Sequence, residues 1–447
     1  MNKNLIILIS AIVSLAVYFL LPVDKGILKG LAILIFVAVL WFTEALPITV
    51  TALLVPILAV LTGIFDVKDA LSHFANPVIF LFLGGFALAA ALHKHGLDRL
   101  IAGYIMRAAG ANSLLSVLGL FASTALISMW ISNTATTAIM LPVALGLIAN
   151  IKDSSTSTEE FILLGVAYAA SIGGIGTMVG SPPNAITAAN LGMDFRDWLS
   201  VGVPFVLILM PIMVLVLYLV LRPKLPQGGV AADGGLGQIA IDKNTYKLAA
   251  IFGVTVVLWI FSGPISSRLG IEKEFDSIVA ILAIFMLVVS GTIKWKEIER
   301  FTDWGVLLLF GGGIVLSAVL SETGASKFLA GLVRDHLSIH GPFPLILGSV
   351  MFVILLSEFA SNTATAAIMV PIFLVLGQET MQDSPEAIAL SVGIAASCGF
   401  MLPVGTPPNA LVFGTERVRQ RSMIKAGLCL DIACGIVITL VSYFFFR

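Results

Sequence analysis

Residues 127–142 read ISMWISNTATTAIMLP, and residues 356–371 read LSEFASNTATAAIMVP. Each sets a hydrogen-bonding tripeptide, Ser132-Asn133-Thr134 or Ser361-Asn362-Thr363, inside an otherwise apolar run. A second pair of motifs lies downstream of each: GSPPNA begins at Gly180 and GTPPNA at Gly405. Two adjacent prolines remove two backbone donors and keep the preceding residue out of the helix. Ser, Asn and Thr favour helix N-caps, and Ala-rich sequence follows them at once. Four interruptions are therefore built into segments that look made for lipid. Backbone freed at that depth is tolerated only where protein buries it or where it lines a cavity.

The rest of the chain is equally oily. Of 447 residues, 11% are charged and 58% hydrophobic, with mean hydropathy +1.05, against about 25% charged in an ordinary soluble domain. Apolar runs recur along nearly the whole length, which predicts a polytopic helical membrane protein. The runs are continuous rather than alternating, which disfavours a transmembrane barrel. A net charge of −1 gives no electrostatic case for nucleic acid. Cys398, Cys429 and Cys434 lie in apolar stretches and offer neither a disulfide framework nor metal-ligand spacing. The run Leu5 to Leu21 lacks a small-residue cleavage site before PVDKG and reads as a span.

Internal repetition organises the chain. A shift of 228 positions brings Gly84-Gly85 onto Gly312-Gly313, Gly96 onto Gly324, and Ala102-Gly103 onto Ala330-Gly331. The tripeptides and the Pro-Pro-Asn motifs repeat at nearly the same shift. The reading is a leading span in residues 1–26, a first half over 27–222, a cytoplasmic linker at 223–244 and a second half over 245–447. Spans are expected near 5–22, 27–45, 48–65, 77–93, 158–193, 199–221, 245–263, 277–293, 304–321, 384–414 and 423–446. Each half holds five, so the second is inserted upside down relative to the first. Such inverted repeats place a binding site at mid-membrane. With the N-terminus in the cytoplasm, cytoplasmic segments collect sixteen Lys and Arg against nine outside, which favours that orientation and an external C-terminus. The segments 112–150 and 342–380 either span twice or dip in and return; parity allows both, and the helix-breaking tripeptide favours a hairpin tip.

The chemistry is expected at the breaks. The helices 158–193 and 384–414 must unwind near Gly180 and Gly405. Unwinding exposes carbonyls that coordinate small hard cations, and helix N-termini that attract anions. Asn133 and Asn362 can offer oxygen to a cation and NH₂ to an anion, and Thr134 and Thr363 can donate to a carboxylate. No Lys or Arg lies in the four breaks. A bound dianion would then be neutralised by co-bound cations, so that each ligand favours the other.

With these motifs the chain resembles the divalent anion/sodium symporter family, the sodium-coupled dicarboxylate, citrate and sulfate carriers. The resemblance covers essentially the whole length. It implies an all-α membrane fold with eleven transmembrane helices, two inverted five-helix repeats, re-entrant hairpins at 112–150 and 342–380, broken helices at 158–193 and 384–414, and a homodimer in the bilayer of the cell inner membrane. It also implies an elevator-type motion. By motif position it implies one Na⁺ site at Ser128, Ser132, Asn133 and the Gly180 carbonyl. A second would comprise Ser357, Ala360, Asn362 and the Gly405 carbonyl. Substrate carboxylates would meet Asn133, Thr134, Ser181, Asn362, Thr363, Thr406 and Pro407.

The expected function is import of a C4-dicarboxylate such as succinate, fumarate or malate with at least two Na⁺. The rivals are an exchanger of the same fold, a citrate or sulfate carrier, an anion channel, and an intramembrane hydrolase using Ser132 or Ser361. The hydrolase needs a His or Lys base at that depth, and none lies near either tripeptide; the chain is expected not to be an enzyme. Glu358 precedes Ser361 by three positions, where the first half has Met129. It reads either as a wall hydrogen-bond group or as a modulator of cation binding. Glu44 reads as a structural residue at the membrane interface. His73, His93, His95, His336 and His340 fall at span ends or on the amphipathic pieces 97–109 and 325–338, and read as interfacial. LGGF at 83 and FGGGI at 310 lack the Lys-Ser/Thr of a phosphate loop and read as close helix packing.

The charge asymmetry makes a direct prediction. In intact cells, a membrane-impermeant thiol reagent labels a cysteine added after Arg447 and spares one added before Asn4, in a background with the native cysteines replaced. The reverse pattern overturns the orientation.

Overall fold

The computed structural model describes residues 3–109, 112–151, 155–224, 242–271, 274–336, 341–381 and 384–445. Among them every regular element is a helix. Most of the linker expected at 223–244, together with His340, lies outside the described residues.

Nine described helices are long and apolar enough to cross a bilayer, or ten if Lys243–Ile260 and Ser262–Leu269, bent by 76°, form one span. That length-based count is not the expected count of eleven spans, because the two measure different things. It includes three hairpin arms, Asn133–Asn150, Pro342–Phe359 and Asn362–Thr380. It omits Ile48–Leu61 and Phe275–Val289, which at 14 and 15 residues fall short of the roughly 20 that a full crossing takes. It also omits the interrupted helices: Thr156–Gly174 has 19 residues but a polar, acidic start, and Pro182–Leu191, Glu386–Ala395 and Pro407–Phe413 have 10, 10 and 7.

Both tripeptides stand at helix interruptions. The first lies between Ser113–Ser128 and Asn133–Asn150, the second between Pro342–Phe359 and Asn362–Thr380. Ser132 caps its helix through a long contact from the Ala135 amide, 3.4 Å. Ser361 makes no side-chain cap at all. The capping expectation is thus met weakly in the first copy and not in the second, where the turn is tied instead through the Asn362 side chain. At the proline motifs, Thr156–Gly174 stops well before Pro182–Leu191, and Glu386–Ala395 well before Pro407–Phe413. Helix does not run through Gly180 or Gly405.

The helices sort into two groups by what they pack against. One contains Lys25–Thr43, Ile48–Leu61, Pro77–Lys94, Lys243–Ile260, Phe275–Val289 and Trp304–Glu322. Its closest crossings are Pro77–Lys94 on Phe275–Val289 and Trp304–Glu322 on Ile48–Leu61. Glycine permits both. A Cβ on Gly84 would fall 2.6 Å from Ala280 Cβ, and one on Gly312 would fall 2.5 Å from the Ala52 carbonyl oxygen. These two contacts are the same contact at the shift of 228 positions, and they give the glycine pairs the packing role expected for them. Membrane helices gain little from apolar burial against one another, so close backbone approach carries the association.

The second group contains both hairpins, both interrupted helices, and Phe195–Leu221 and Gln420–Phe445. Segment ends meet in consistent sets. Lys94 Nζ reaches Glu297 at 2.7 Å, and His95 Nε2 lies 2.9 Å from the Thr292 carbonyl. Glu160, fully buried, receives the Arg419 guanidinium at 2.7 and 3.0 Å and the Arg419 amide at 3.1 Å. That ion pair fastens the start of the first interrupted helix to the chain just after the second.

Gly312→Val is expected to lower the thermal unfolding midpoint in detergent, because the overpacked crossing costs about 1–3 kcal/mol. Gly253→Val, where a Cβ meets nothing within 4 Å, is the matched control, expected to keep the wild-type midpoint. Equal midpoints for Gly312→Val and wild type would remove the close-packing account.

Candidate functional site

The site is assembled by crosswise packing. Both arms of the first hairpin lie on Thr156–Gly174, and its second arm also meets Pro407–Phe413, the piece beyond the second break. In mirror fashion, the second arm of the second hairpin lies on Glu386–Ala395 and on Pro182–Leu191, the piece beyond the first break. Each hairpin therefore touches both interrupted helices. Pro182–Leu191 also lies directly against Glu386–Ala395: a Cβ on Gly393 would fall 2.0 Å from Thr187 Oγ1.

At the first break the Ser128 hydroxyl lies 2.8 Å from Asn133 Oδ1 and 2.7 Å from the Ala170 carbonyl. At the second, the Ser357 hydroxyl lies 2.7 Å from Asn362 Oδ1 and 2.8 Å from the Ala396 carbonyl. Each cluster brings three oxygens together around a single hydroxyl proton, and both serines are fully buried. Such a group is rich in acceptors and short of donors, which suits a small hard cation. Asn133 and Asn362 are half-buried with their amide oxygens turned inward onto serine.

The glycines sit against these clusters. A Cβ on Gly180 would stand 2.5 Å from the Gly174 carbonyl and 2.9 Å from the Ser128 carbonyl. One on Gly174 would stand 2.3 Å from Asn133 Oδ1, and one on Gly405 would stand 3.3 Å from the Glu358 carbonyl. The structure thus brings Ser128, Asn133 and Gly180 together, and Ser357 and Asn362 together. Gly405 lies instead against Glu358, the residue after Ser357: a Cβ there would stand 3.2 Å from its Oε2. Ala360 is buried and extended at the end of its arm, with φ −135° and ψ 160°. Ser181 and Thr406 are both buried N-caps without a side-chain cap bond, and Thr406 Oγ1 has no partner among the described residues. Ser132, Thr134 and Pro407 are exposed and Thr363 is half-buried. Among the described residues no hydrogen bond ties these four side chains to the serine–asparagine clusters.

A model described as the sodium:sulfate symporter transmembrane region matches residues 2–447. The chain belongs to that family. It is 48% identical to an uncharacterised transporter of Haemophilus influenzae, over 99% of this chain and 97% of the relative. A sodium-dependent dicarboxylate transporter, SdcS, of Staphylococcus aureus strain USA300 is 33% identical over 96% of this chain and 88% of its own. Among solved structures, the YdaH transporter of Alcanivorax borkumensis superposes with TM-score 0.57 at 14% identity, covering 84% of this chain and 87% of that one. MtrF of Neisseria gonorrhoeae superposes with TM-score 0.55 at 14% identity, covering 98% and 94%. These two likenesses concern the fold. The protein is a multi-pass membrane carrier and not an enzyme.

Within this symporter fold the role left open for Glu358 becomes concrete. Its carboxyl is buried and accepts the Met401 amide at 2.7 Å and the Leu402 amide at 2.8 Å. It thereby holds the unwound segment of the second break against the second hairpin. Asp431, also buried, accepts the Phe400 amide at 3.3 Å, and Tyr168 donates to the Phe400 carbonyl at 2.7 Å. The first break is tied differently: Thr177 donates to the Met129 carbonyl, and Trp198 Nε1 donates to the Ile175 carbonyl at 2.9 Å. Sequence reasoning did not single out Tyr168, Thr177, Trp198 or Asp431. An acid inside the last apolar run was a legible signal for Asp431; the other three bond only to backbone and left none. A cavity of about 720 Å³ beside Leu191–Met193 and Ser384–Ala387 contains none of the expected site residues.

Glu358→Ala leaves two amides of the second break without their acceptor. Hydrogen bonds to a carboxyl are worth about 1.5–3 kcal/mol each, so a clear fall in the detergent unfolding midpoint is expected, with Glu358→Gln intermediate. Wild-type midpoints for both variants would remove the wall role.

Proposed function

We propose that the protein is a sodium-coupled importer of C4-dicarboxylates such as succinate, fumarate and malate. The observation that carries this reading is the repeated oxygen cluster: Ser128, Asn133 and the Ala170 carbonyl in one half, Ser357, Asn362 and the Ala396 carbonyl in the other. With one proton among three oxygens, each cluster favours a cation, and Na⁺ is the cation that the family description names. No Lys or Arg stands in any of the four breaks, so a dianion placed between the clusters depends on those cations for its neutralisation. Coupling then follows from electrostatics: binding the dianion without Na⁺ is unfavourable, and each ligand strengthens the other.

In this reading, Ser128, Ser132, Asn133 and the Gly180 carbonyl hold one Na⁺. Ser357, Ala360, Asn362 and the Gly405 carbonyl hold a second. Asn133, Thr134, Ser181, Asn362, Thr363, Thr406 and Pro407 receive the carboxylates. The likeness to SdcS, named a sodium-dependent dicarboxylate transporter, supports the choice of substrate class. We further propose eleven spans in two inverted halves, a homodimer, an internal N-terminus and an external C-terminus. The recurring glycine contacts at Ala280 and Ala52 support the repeat. The division of helices into two groups supports an elevator-type exchange of access, with the hairpin group as the moving part.

The test is uptake of labelled succinate into proteoliposomes with and without an inward Na⁺ gradient, with citrate and sulfate as competitors. Na⁺-driven uptake is expected, abolished in Asn133→Ala and in Asn362→Ala while both remain folded. Uptake equal in K⁺ and Na⁺ favours an exchanger, and stronger competition by sulfate or citrate reassigns the substrate. Normal transport by both asparagine variants removes the site assignment.

A further inference from the structure

The Pro-Pro-Asn motifs carry one residue that the site as described does not use. Asn184 and Asn409 are each fully buried three residues into the helix beyond a break. Asn184 Nδ2 donates to the Gly174 carbonyl and to the Thr177 carbonyl, both at 2.7 Å. Asn409 Nδ2 donates to the Gly399 carbonyl at 3.1 Å and to the Leu402 carbonyl at 3.0 Å. The four acceptors correspond pairwise between the halves, although Thr177 and Leu402 differ as residues. The amide reads backbone alone, so the arrangement survives a change of side chain.

Geometry connects these bonds to the cation sites. Where a helix stops, its last carbonyls have no intrahelical donor, and in a dry interior they would turn toward whatever positive charge is near. The carbonyls of the unwound segment beyond lack one too, and here one NH₂ group engages two: Gly174, the last helical residue, and Thr177 in the first half, Gly399 and Leu402, both past the helix end at Ala395, in the second. It thereby fixes the path of the chain between. In both halves a stapled carbonyl then abuts the glycine assigned to Na⁺. A Cβ on Gly180 would lie 2.5 Å from the Gly174 oxygen, and one on Gly405 would lie 3.4 Å from the Leu402 oxygen. With its donors committed to carbonyls, the amide has a fixed orientation, and Oδ1 of both residues is buried without a partner among the described residues. An unpaired buried acceptor is costly, about 1–3 kcal/mol. That the same cost recurs at both motifs indicates that the donor side of the amide is what the position requires.

We propose that Asn184 and Asn409 are positioning residues of the two cation sites: each staples the two ends of its break so that the glycine assigned to Na⁺ is held against its hairpin, Gly180 beside Ser128 and Gly405 beside Glu358. This rests on the sodium-coupled reading of those clusters. The residues touch neither ion nor dianion; they act through the backbone they fasten.

The test uses Asn184→Asp and Asn409→Asp, which keep the size of the side chain and replace the donating NH₂ with an oxygen. In proteoliposomes each is expected to raise the Na⁺ concentration for half-maximal succinate uptake about tenfold, the loss of roughly one buried hydrogen-bonding group. Half-saturating succinate at saturating Na⁺ stays at the wild-type value. Hydrogen exchange over residues 175–181 or 396–406 is expected to quicken in the matching variant and not in the other. A merely structural asparagine would lower the unfolding midpoint without moving the Na⁺ dependence. If an Asp variant does not fold, Asn→Ser replaces it; one hydroxyl proton can serve only one of the two carbonyls, so the same shift in Na⁺ dependence is expected. Unmoved Na⁺ dependence or unmoved exchange in a folded variant overturns the staple. Wild-type uptake that ignores Na⁺ overturns the transport reading itself, and the exchange data then still decide whether the break is stapled.

Discussion

Hydrocarbon gives nothing to an unpaired amide or carbonyl, and the architecture follows from that constraint. A helix in lipid satisfies its own backbone; an interrupted helix does not, and four interruptions must be supplied with partners from elsewhere in the chain. The structure supplies them with specific side chains. At the first break the Gly174, Ile175 and Thr177 carbonyls accept hydrogen bonds from Asn184 and Trp198. At the second, the Gly399, Phe400 and Leu402 carbonyls accept hydrogen bonds from Asn409 and Tyr168, while the amides of 400–402 donate to Asp431 and Glu358. The crosswise packing of hairpins on broken helices is what brings these groups within reach.

Satisfying the backbone and building a site are the same operation here. Each donor committed to a break carbonyl is one fewer donor near the serine–asparagine cluster. The clusters at Ser128 and Ser357 are left with more oxygen lone pairs than protons. In the proposed reading that imbalance makes a place for a cation, and at the second break the Glu358 carboxyl stands close by, 3.2 Å from where a Cβ on Gly405 would fall. The two breaks reach it by different chemistry. The first uses neutral groups throughout, while the second adds two carboxyls that hold the amides of its unwound segment. Equivalent ions would therefore meet different fields in the two halves, and the sites need not fill alike.

Much of this was legible in the sequence. Composition fixed the solvent, and the duplicated SNT and PPN motifs located all four interruptions to within a few residues. The glycine pairs at 84 and 312 announced close crossings and make them. What the sequence concealed has physical causes. Span counting by length fails where helices are short or broken, as at Ile48–Leu61 and Phe275–Val289. Capping propensity suggested serine caps at both tripeptides, but only Ser132 makes one, although the neighbouring asparagine is held by a serine hydroxyl in both copies. Tyr168, Thr177 and Trp198 bond to carbonyls distant in the chain, and no local pattern encodes such a partner.

The aromatic residues at the hairpin tips carry the comparison of the halves one step further. Trp130 and Phe359 stand at matching places, two positions before Ser132 and Ser361. Trp130 packs edge-on against Phe252 of Lys243–Ile260 at 4.9 Å and stacks on Phe195 at 6.3 Å. Phe359 is 64% exposed. Residues at matching positions beside the two tripeptides thus meet unlike surroundings: one is seated on the first helix group, and the other is largely exposed. Local sequence cannot account for this, since both positions are aromatic and both tips carry the same tripeptide. The asymmetry lies in how the hairpin group sits against its neighbours.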